Sequence, residues 1–182
     1  MRLSPTVIEE CVNSIKTGED IFGIYVPEKV VGEGFWINVR NFERSFYDAT
    51  YIDAARFIKK DAFIELGGFD LSLCGPEDWD LDRRLLEKGR LLLIKSHLNH
   101  DEGAFSFSKY FGKKKYYAKS FDAYTQKWNN DKIVRKQLGI YYRFFGVFIE
   151  NEKWKKLLKH PLLTFGMYFL RFLVGIVYIF RK

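Results

Sequence analysis

The sequence predicts an α/β fold, because short apolar runs typical of strands alternate with segments whose apolar side chains recur at helical spacing. Residues 7–15 place Val7, Cys11 and Ile15 on one helical face. Residues 21–26 (IFGIYV) have the length and composition of a buried strand, which Pro27 ends. Strands separated by helices in this way favour an α/β arrangement over an all-α one.

The remaining elements of the first hundred residues continue this alternation. Ser4-Pro5 marks the start of the first helix and Gly18 its end. Apolar periodicity and glycine stop signals then predict further helices at 35–49, 60–66 and 76–88, and further strands at 51–58 and 91–95.

Composition limits the class of protein. The chain has 182 residues, of which 47% are hydrophobic and 29% charged, so it can bury a core and is not disordered. A net charge of +7 favours anionic partners such as nucleic acid, anionic lipid or phosphorylated substrates. Cys11 and Cys74 form neither a metal motif nor a disulfide framework, which favours a reducing compartment, and no signal-peptide pattern precedes the first helix.

Residues 67–100 carry the chemistry. Pro76 suits the first position of a helix, where a missing N–H group costs nothing, and Glu77 and Asp78 follow in the first turn. Apolar side chains at helical spacing continue this helix to Gly89, and the strand at 91–95 precedes His100. This predicts two carboxylates at a rigid, half-exposed helix start.

The order GGFD (67–70), EDWDLDRRL (77–85), Gly89, strand, His100 resembles the acceptor-side half of an inverting family 2 glycosyltransferase with a GT-A fold. The resemblance implies that residues 1–103 form the second half of a Rossmann-like GT-A sandwich. Residues 104–160 would be a helical extension rich in basic and aromatic side chains, and 161–182 a hydrophobic, membrane-associated helix.

An inverting transferase needs a base beside the acceptor hydroxyl and positive charge on the departing diphosphate. By the resemblance, Asp78 is that base and Glu77 orients it or touches the acceptor, although Glu77 is also a suitable helix cap. His100 matches a histidine that completes the metal site for Mg²⁺ or Mn²⁺, with a purely structural histidine as the alternative. His97 is a less suitable candidate, because the family's histidine precedes a short acidic or glycine turn.

Several further side chains are candidates for substrate binding. Gly68 and Asp70 lie in the GGFD turn, where Asp70 orients the acceptor or caps the turn. Arg56 holds a phosphate oxygen or forms a strand-end ion pair. Trp79 stacks on a sugar ring or anchors its helix in the core. Basic side chains that would bind a donor diphosphate or a lipid-linked phosphate, or form a solvated helix face, are Lys113, Lys114 and Lys115.

The DxD motif that holds metal and diphosphate in this family has no counterpart at a strand end. Asp80-Leu81-Asp82 has the right letters but lies inside the predicted helix, where Asp82 is expected to be solvated or ion-paired with the adjacent arginines. Residues 1–5 resemble the segment that follows DxD in the family. We therefore expect the nucleotide-binding half to lie outside these 182 residues, and the chain alone to bind nucleotide-sugar weakly.

Residues 161–180 are 20 residues long with one charge, Arg171, and basic clusters flank them on both sides. That length can span a bilayer, at a cost of roughly 2.5–3.5 kcal/mol for a central arginine. A helix lying in the membrane interface is the first expectation, a spanning helix the second and a core helix the third.

The function expected from the resemblance is sugar transfer, with inversion, from a nucleotide-sugar to a polysaccharide or lipid-linked acceptor at the cytoplasmic face of a membrane. The alternative is a non-catalytic, membrane-associated partner, or a truncated product, that requires a separate nucleotide-binding half. Nucleic-acid binding is the third hypothesis, but the sequence contains no motif for it. The oligomeric state is left open.

Overall fold

The computed structural model describes residues 1–179 and has a mixed α/β fold. Its strands form two separate three-stranded sheets, each with one parallel and one antiparallel pair. A complete Rossmann-like GT-A sandwich is not seen within residues 1–179. The α/β prediction is therefore confirmed at the level of class, while the division into three domains stays a prediction.

The first sheet has the order β1–β6–β3 and the second the order β4–β2–β5. In the first, β6 runs antiparallel to β1 and parallel to β3; in the second, β2 runs antiparallel to β4 and parallel to β5. The strands are β1 Arg2–Leu3, β2 Ile21–Tyr25, β3 Glu28–Glu33, β4 Phe57–Ile58, β5 Arg90–Leu93 and β6 Leu98–Ala104.

Helices surround the sheets and make up the rest of the chain. The first four are α1 Val7–Ile15, α2 Phe35–Arg44, α3 Lys60–Glu65 and α4 Glu77–Leu86. The later ones are α5 Phe107–Tyr117, α6 Phe121–Lys127, α7 Lys132–Leu138, α8 Val147–Ile149, α9 Trp154–Lys159 and α10 Pro161–Ile179. Short 3₁₀ and π turns at 118–120, 142–146 and 150–152 connect several of these.

The structure corrects several predicted boundaries. The helix predicted for 35–49 ends at Arg44, and only Phe57–Ile58 of the strand predicted for 51–58 is strand. Pro76 caps α4 from outside rather than occupying its first turn. Strands β3 and β6 were not predicted, and His100 lies inside β6 rather than beyond a strand end.

The largest core joins α2 to the C-terminal helices. Buried side chains of α2 and of the segment that follows it, such as Val39 and Phe46, pack against Phe148 and against Met167 and Leu170 of α10. Within the described chain, Pro161–Ile179 is the one helix long and apolar enough to cross a membrane, with a mean hydropathy of 1.9. The last three residues of the predicted 161–182 segment lie outside the described range.

One face of α10 is buried against the protein and the other is exposed. Gly166, Met167, Leu170 and Arg171 are buried. Apolar side chains on the opposite face are exposed; the largest exposed fractions belong to Leu162, Phe165, Phe172 and Ile179. Arg171, the single charge of the apolar segment, therefore points into the protein.

Gly75 fixes the turn that leads into α4, and replacing it with alanine should destabilise the protein. Its φ of +103° is unfavourable for alanine, and the added Cβ would lie 2.7 Å from Cβ of Tyr117. We expect a loss of about 3 kcal/mol in the free energy of unfolding. Gly67→Ala is the matched control, since φ is +75° but the added Cβ meets nothing within 4 Å. Equal losses for both variants in urea unfolding would show that the Tyr117 contact is unimportant.

Candidate active site

A large cavity of about 1160 Å³ lies between α2, α4, α5, β6 and α10. It brings together six of the predicted site residues from four separate parts of the chain. They are Arg56, Asp78, Trp79, His100, Lys113 and Lys114. We take this cavity as the candidate active site.

Asp78 reaches the cavity from the first turn of α4 and is half-buried. Burial raises the pKa of its carboxyl group, and the negative charge of Glu77 raises it further, while Arg56 acts in the opposite direction. A carboxylate with a raised pKa accepts a proton more readily than an ordinary one. Asp78 therefore has the position and the electrostatics of a general base.

Glu77 lies in the first turn of α4 and binds the turn that precedes the helix, so its side chain does not cap an N–H group of the helix itself. Its carboxylate accepts a hydrogen bond from the backbone N–H of Gly75, and Glu77 does not line the cavity. The charge of Glu77 nevertheless acts on Asp78, as the raised pKa of Asp78 reflects.

Glu28 of β3 organises the polar end of the cavity and was not anticipated. Its carboxylate hydrogen-bonds Nδ1 of His100 at 2.9 Å and forms an ion pair with Arg56. Arg44 lies 3.5 Å from the same carboxylate. Burial alone would raise the pKa of Glu28, but the two arginines and the histidine outweigh it, so the pKa is lowered. Glu28 thus orients His100 and is held as a carboxylate.

Arg56 therefore forms an ion pair, the second of its two interpretations, while it also lines the cavity. The sequence suggested Arg56 because it is a basic residue on a predicted strand. It did not suggest the partner, Glu28, which lies 28 residues earlier. Because Arg56 also lowers the pKa of Asp78, this guanidinium connects the Glu28 group to the candidate base.

Trp79 belongs both to the core and to the cavity wall. Its ring stacks on Phe121 with centroids 6.3 Å apart and also contacts Tyr124. The guanidinium of Arg143 lies 5.7 Å from its ring centroid. Trp79 therefore packs against core side chains, as one of its two interpretations predicted. Part of its indole still lines the cavity, where a ligand could contact it.

Three predicted site residues besides Glu77 lie outside the cavity. Gly68 adopts a φ of +70°, and its carbonyl accepts a hydrogen bond from Arg84 at 2.7 Å. Asp70 caps the turn through Ser72 and pairs with Lys127 at 2.6 Å, and these hydrogen bonds lower the pKa of Asp70. Lys115 is exposed on α5. Their contacts position the turn and the helix rather than a ligand in this cavity.

The expectation that Asp82 is solvated or paired with the neighbouring arginines is wrong. Asp82 is 6% exposed, accepts a hydrogen bond from the backbone N–H of Ala55 at 3.0 Å and faces Tyr25. Burial raises its pKa to about 7, with Asp53 and Asp78 contributing, although the two hydrogen bonds oppose the shift. Asp82 lies one helical turn after Asp78, so a second proton-binding group stands behind the candidate base.

Asp80 has a structural position. It is fully buried and binds Arg84, Lys127 and the indole N–H of Trp128 at 2.8–2.9 Å. The contacts with Lys127 and Trp128 fasten α4 to the end of α6, while the pair with Arg84 lies within α4. The Asp80-Leu81-Asp82 triplet therefore has no metal-binding arrangement.

A second charged group lines the cavity on the side of α10. Arg171 lies 3.0 Å from Glu43, and Arg40 lies 2.5 Å from the same carboxylate. Burial and the charge of Arg40 lower the pKa of Lys114 to about 7, and Arg143 and Arg171 lower it further. This cationic cluster, defined as Arg40, Lys114, Arg143 and Arg171 around Glu43, has a net positive charge. Only its lysine was a candidate from the sequence.

The described residues do not form a metal site by themselves. Across residues 1–179, no group of three His, Cys, Asp or Glu side chains is placed to hold a metal ion. His100 has Glu28 beside it, but that carboxylate is already neutralised by two arginines. The divalent cation implied by the resemblance stays a prediction, and no step below depends on it.

Comparison of the chain with protein-family models, with curated proteins and with solved structures gives no match. The functional argument therefore depends on the site alone.

Proposed function

We propose that this chain is the acceptor-side part of an inverting glycosyltransferase of the GT-A type. It would transfer a sugar from a nucleotide-sugar to a glycan or lipid-linked acceptor at the cytoplasmic face of a membrane. The observation that supports this most directly is Asp78, a half-buried carboxylate with a raised pKa at the wall of a large cavity lined with cations.

In the proposed reaction, Asp78 takes the proton of the acceptor hydroxyl as its oxygen attacks the anomeric carbon. The bond from that carbon to the diphosphate oxygen breaks, and the electron pair leaves with the nucleotide diphosphate. Arg56 would bind oxygens of the departing diphosphate, and the lysines at 113 and 114 would bind phosphate oxygens of either the donor or a lipid-linked acceptor. Glu28 would keep His100 oriented toward the reacting groups.

The arrangement of α10 supports association with a membrane surface. Its exposed face is apolar, and basic side chains lie just before it on and beside α9: Lys153, Lys155, Lys156 and Lys159. An apolar face flanked by lysines suits the interface of an anionic bilayer. Since Arg171 on the other face is paired with Glu43, an interfacial position retains a contact that a lone spanning helix would lose.

The proposal is tested in membranes from host cells, which contain any separate nucleotide-binding polypeptide. Radiolabelled nucleotide-sugars are supplied, and transfer into glycan and lipid extracts is measured for wild type, a deletion of this chain and Asp78→Asn. Asp78→Asn should reduce transfer by about 10²–10⁴-fold, because it removes the proton acceptor. Asp61→Asn, an exposed acid in the first turn of α3, is the matched control and should have no effect.

The outcomes separate the two candidate functions. If deletion abolishes transfer but Asp78→Asn does not, the chain is a non-catalytic partner, and the transferase proposal is wrong. If deletion itself leaves transfer unchanged, neither function is correct.

A further inference from the structure

The cavity changes character along its length, from acidic and polar at Asp78 to cationic and then apolar along α10. We infer that it binds an acceptor carried on a long apolar alcohol through a phosphate or diphosphate ester, with the phosphate in the cationic cluster and the apolar chain along α10. This inference rests on the proposed function and names the class of acceptor.

The cationic cluster has the properties of a phosphate site. Arg40 and Arg171 pair with Glu43, Arg40 also lies 3.7 Å from Glu102, and Lys114 and Arg143 are close neighbours, so four cations face two carboxylates. In the described part of the chain, Nε of Arg40 and Nε of Arg171 are buried without a hydrogen-bond partner, and both residues line the cavity. Buried guanidinium donors without partners are costly, and rotation of either guanidinium toward a bound phosphate would satisfy them.

The lowered pKa of Lys114 is a second sign of excess positive charge in the cluster. The pKa of this lysine is lowered to about 7 because it is buried among Arg40, Arg143 and Arg171. A phosphate bound among these residues would restore the fully protonated lysine. The cluster therefore keeps an excess of positive charge after its contacts with Glu43 and Glu102 are counted.

The cationic cluster and the candidate base line the same cavity. Arg40 of the cluster and Arg44 of the Glu28–His100 group both extend from α2, so the two charged groups are neighbours on one helix. The sugar of the acceptor would lie between them, with its phosphate in the cluster and a hydroxyl directed to Asp78.

The apolar end of the cavity begins immediately after Arg171. The cavity is lined there by the following turns of α10: Phe172, Val174, Gly175, Ile176, Tyr178 and Ile179. These turns extend for about 12 Å. Phe172 and Ile179 are 62% and 74% exposed, so this end opens at the apolar face of the helix. A lipid chain can therefore leave the cavity on the side that suits a bilayer.

The test is direct binding, without donor or turnover, so it stands or fails independently of the transfer assay. Farnesyl diphosphate, inorganic diphosphate and farnesol are titrated into the purified full chain by calorimetry, below the concentration at which the lipid forms micelles. We expect farnesyl diphosphate to bind at least roughly tenfold more tightly than either of its parts. Equal binding of inorganic diphosphate would indicate a free anion or nucleotide site, and equal binding of farnesol an apolar groove; either result overturns the inference, as does no binding.

Two variants assign the parts of the ligand. Lys114→Gln should weaken farnesyl diphosphate roughly tenfold and leave farnesol unchanged. It also removes a charge that is crowded by three arginines, so the fold should persist. Ile176→Asn should weaken farnesyl diphosphate and leave inorganic diphosphate unchanged. Lys155→Gln, which is exposed on α9 and outside the cavity, is the control. If Lys114→Gln and Lys155→Gln have equal effects, general charge rather than the cluster binds the phosphate, and the inference fails.

Discussion

Replacing Arg171 with methionine should lower the free energy of unfolding by about 3–5 kcal/mol, the cost of removing one partner from a buried, hydrogen-bonded ion pair. Arg171 and Glu43 have side chains that are 6% and 5% exposed. Arg171 also donates hydrogen bonds to the Tyr47 hydroxyl and to the carbonyl of Arg143, and it lies over the ring of Phe148. Burial opposes ionisation of Glu43, but Arg171 and then Arg40 hold its pKa at about 2.

Urea unfolding of the detergent-solubilised chain, followed by far-ultraviolet circular dichroism, measures this effect. Arg90→Met is the matched control, because Arg90 is 62% exposed in its pair with Asp20 and the substitution should have little effect on stability. The double variant Arg171→Met, Glu43→Gln should lose less stability than the sum of the two single variants, because both single substitutions remove the same ion pair. A double variant as unstable as the sum of both single variants would show that the pair is not coupled.

Asp82→Asn should remove a pH dependence of stability of about 2–4 kcal/mol between pH 4 and pH 7. The folded-state pKa of Asp82 is raised to about 7, whereas an unfolded aspartate titrates near 4. Between these values the folded protein binds more protons than the unfolded chain, so its stability decreases as the pH rises. Below pH 4 the contribution is fully present, and above pH 7 it has been lost.

Denaturant unfolding at several pH values tests this sign. The wild type should lose stability from pH 4 to pH 7, and Asp82→Asn should lose less, because asparagine is neutral throughout and still accepts the Ala55 hydrogen bond. The variant should consequently be more stable than the wild type at pH 8. Asp61→Asn is a control at an exposed position. Identical slopes for the wild type and Asp82→Asn would place the titration elsewhere.

The sequence predicted the helices and strands whose own residues show a regular apolar pattern. The helix starting at Val7, the strand at Ile21 and the helix starting at Glu77 have clear periodicity and stop signals, and all three are present. Strands β3 and β6 were missed because their sequences, EKVVGE and LNHDEGA, are polar and contain glycine. Glu28 is tolerated there because arginines from other elements neutralise it, which a local pattern does not reveal.

The same limit applies to the candidate site. Asp78 and His100 became candidates through the family resemblance and Arg56 through its place on a predicted strand, and one cavity contains all three. The periodicity that extended the second helix to Ala49 arose from Phe46, which is buried in the core beyond the helix end. The cationic cluster joins Arg40, Lys114 and Arg171 across more than a hundred residues, so only tertiary packing creates it.

The aromatic contacts of Trp79 affect how easily the cavity can widen to admit an acceptor. Trp79 of α4 stacks on Phe121, and Phe121 in turn meets Tyr178 of α10 with centroids 5.8 Å apart. Widening the cavity at this point would separate the two helices and break ring contacts that are worth about 0.5–1.5 kcal/mol each. These ring contacts therefore favour the observed separation of α4 and α10, and an acceptor that forces the helices apart has to overcome their energy.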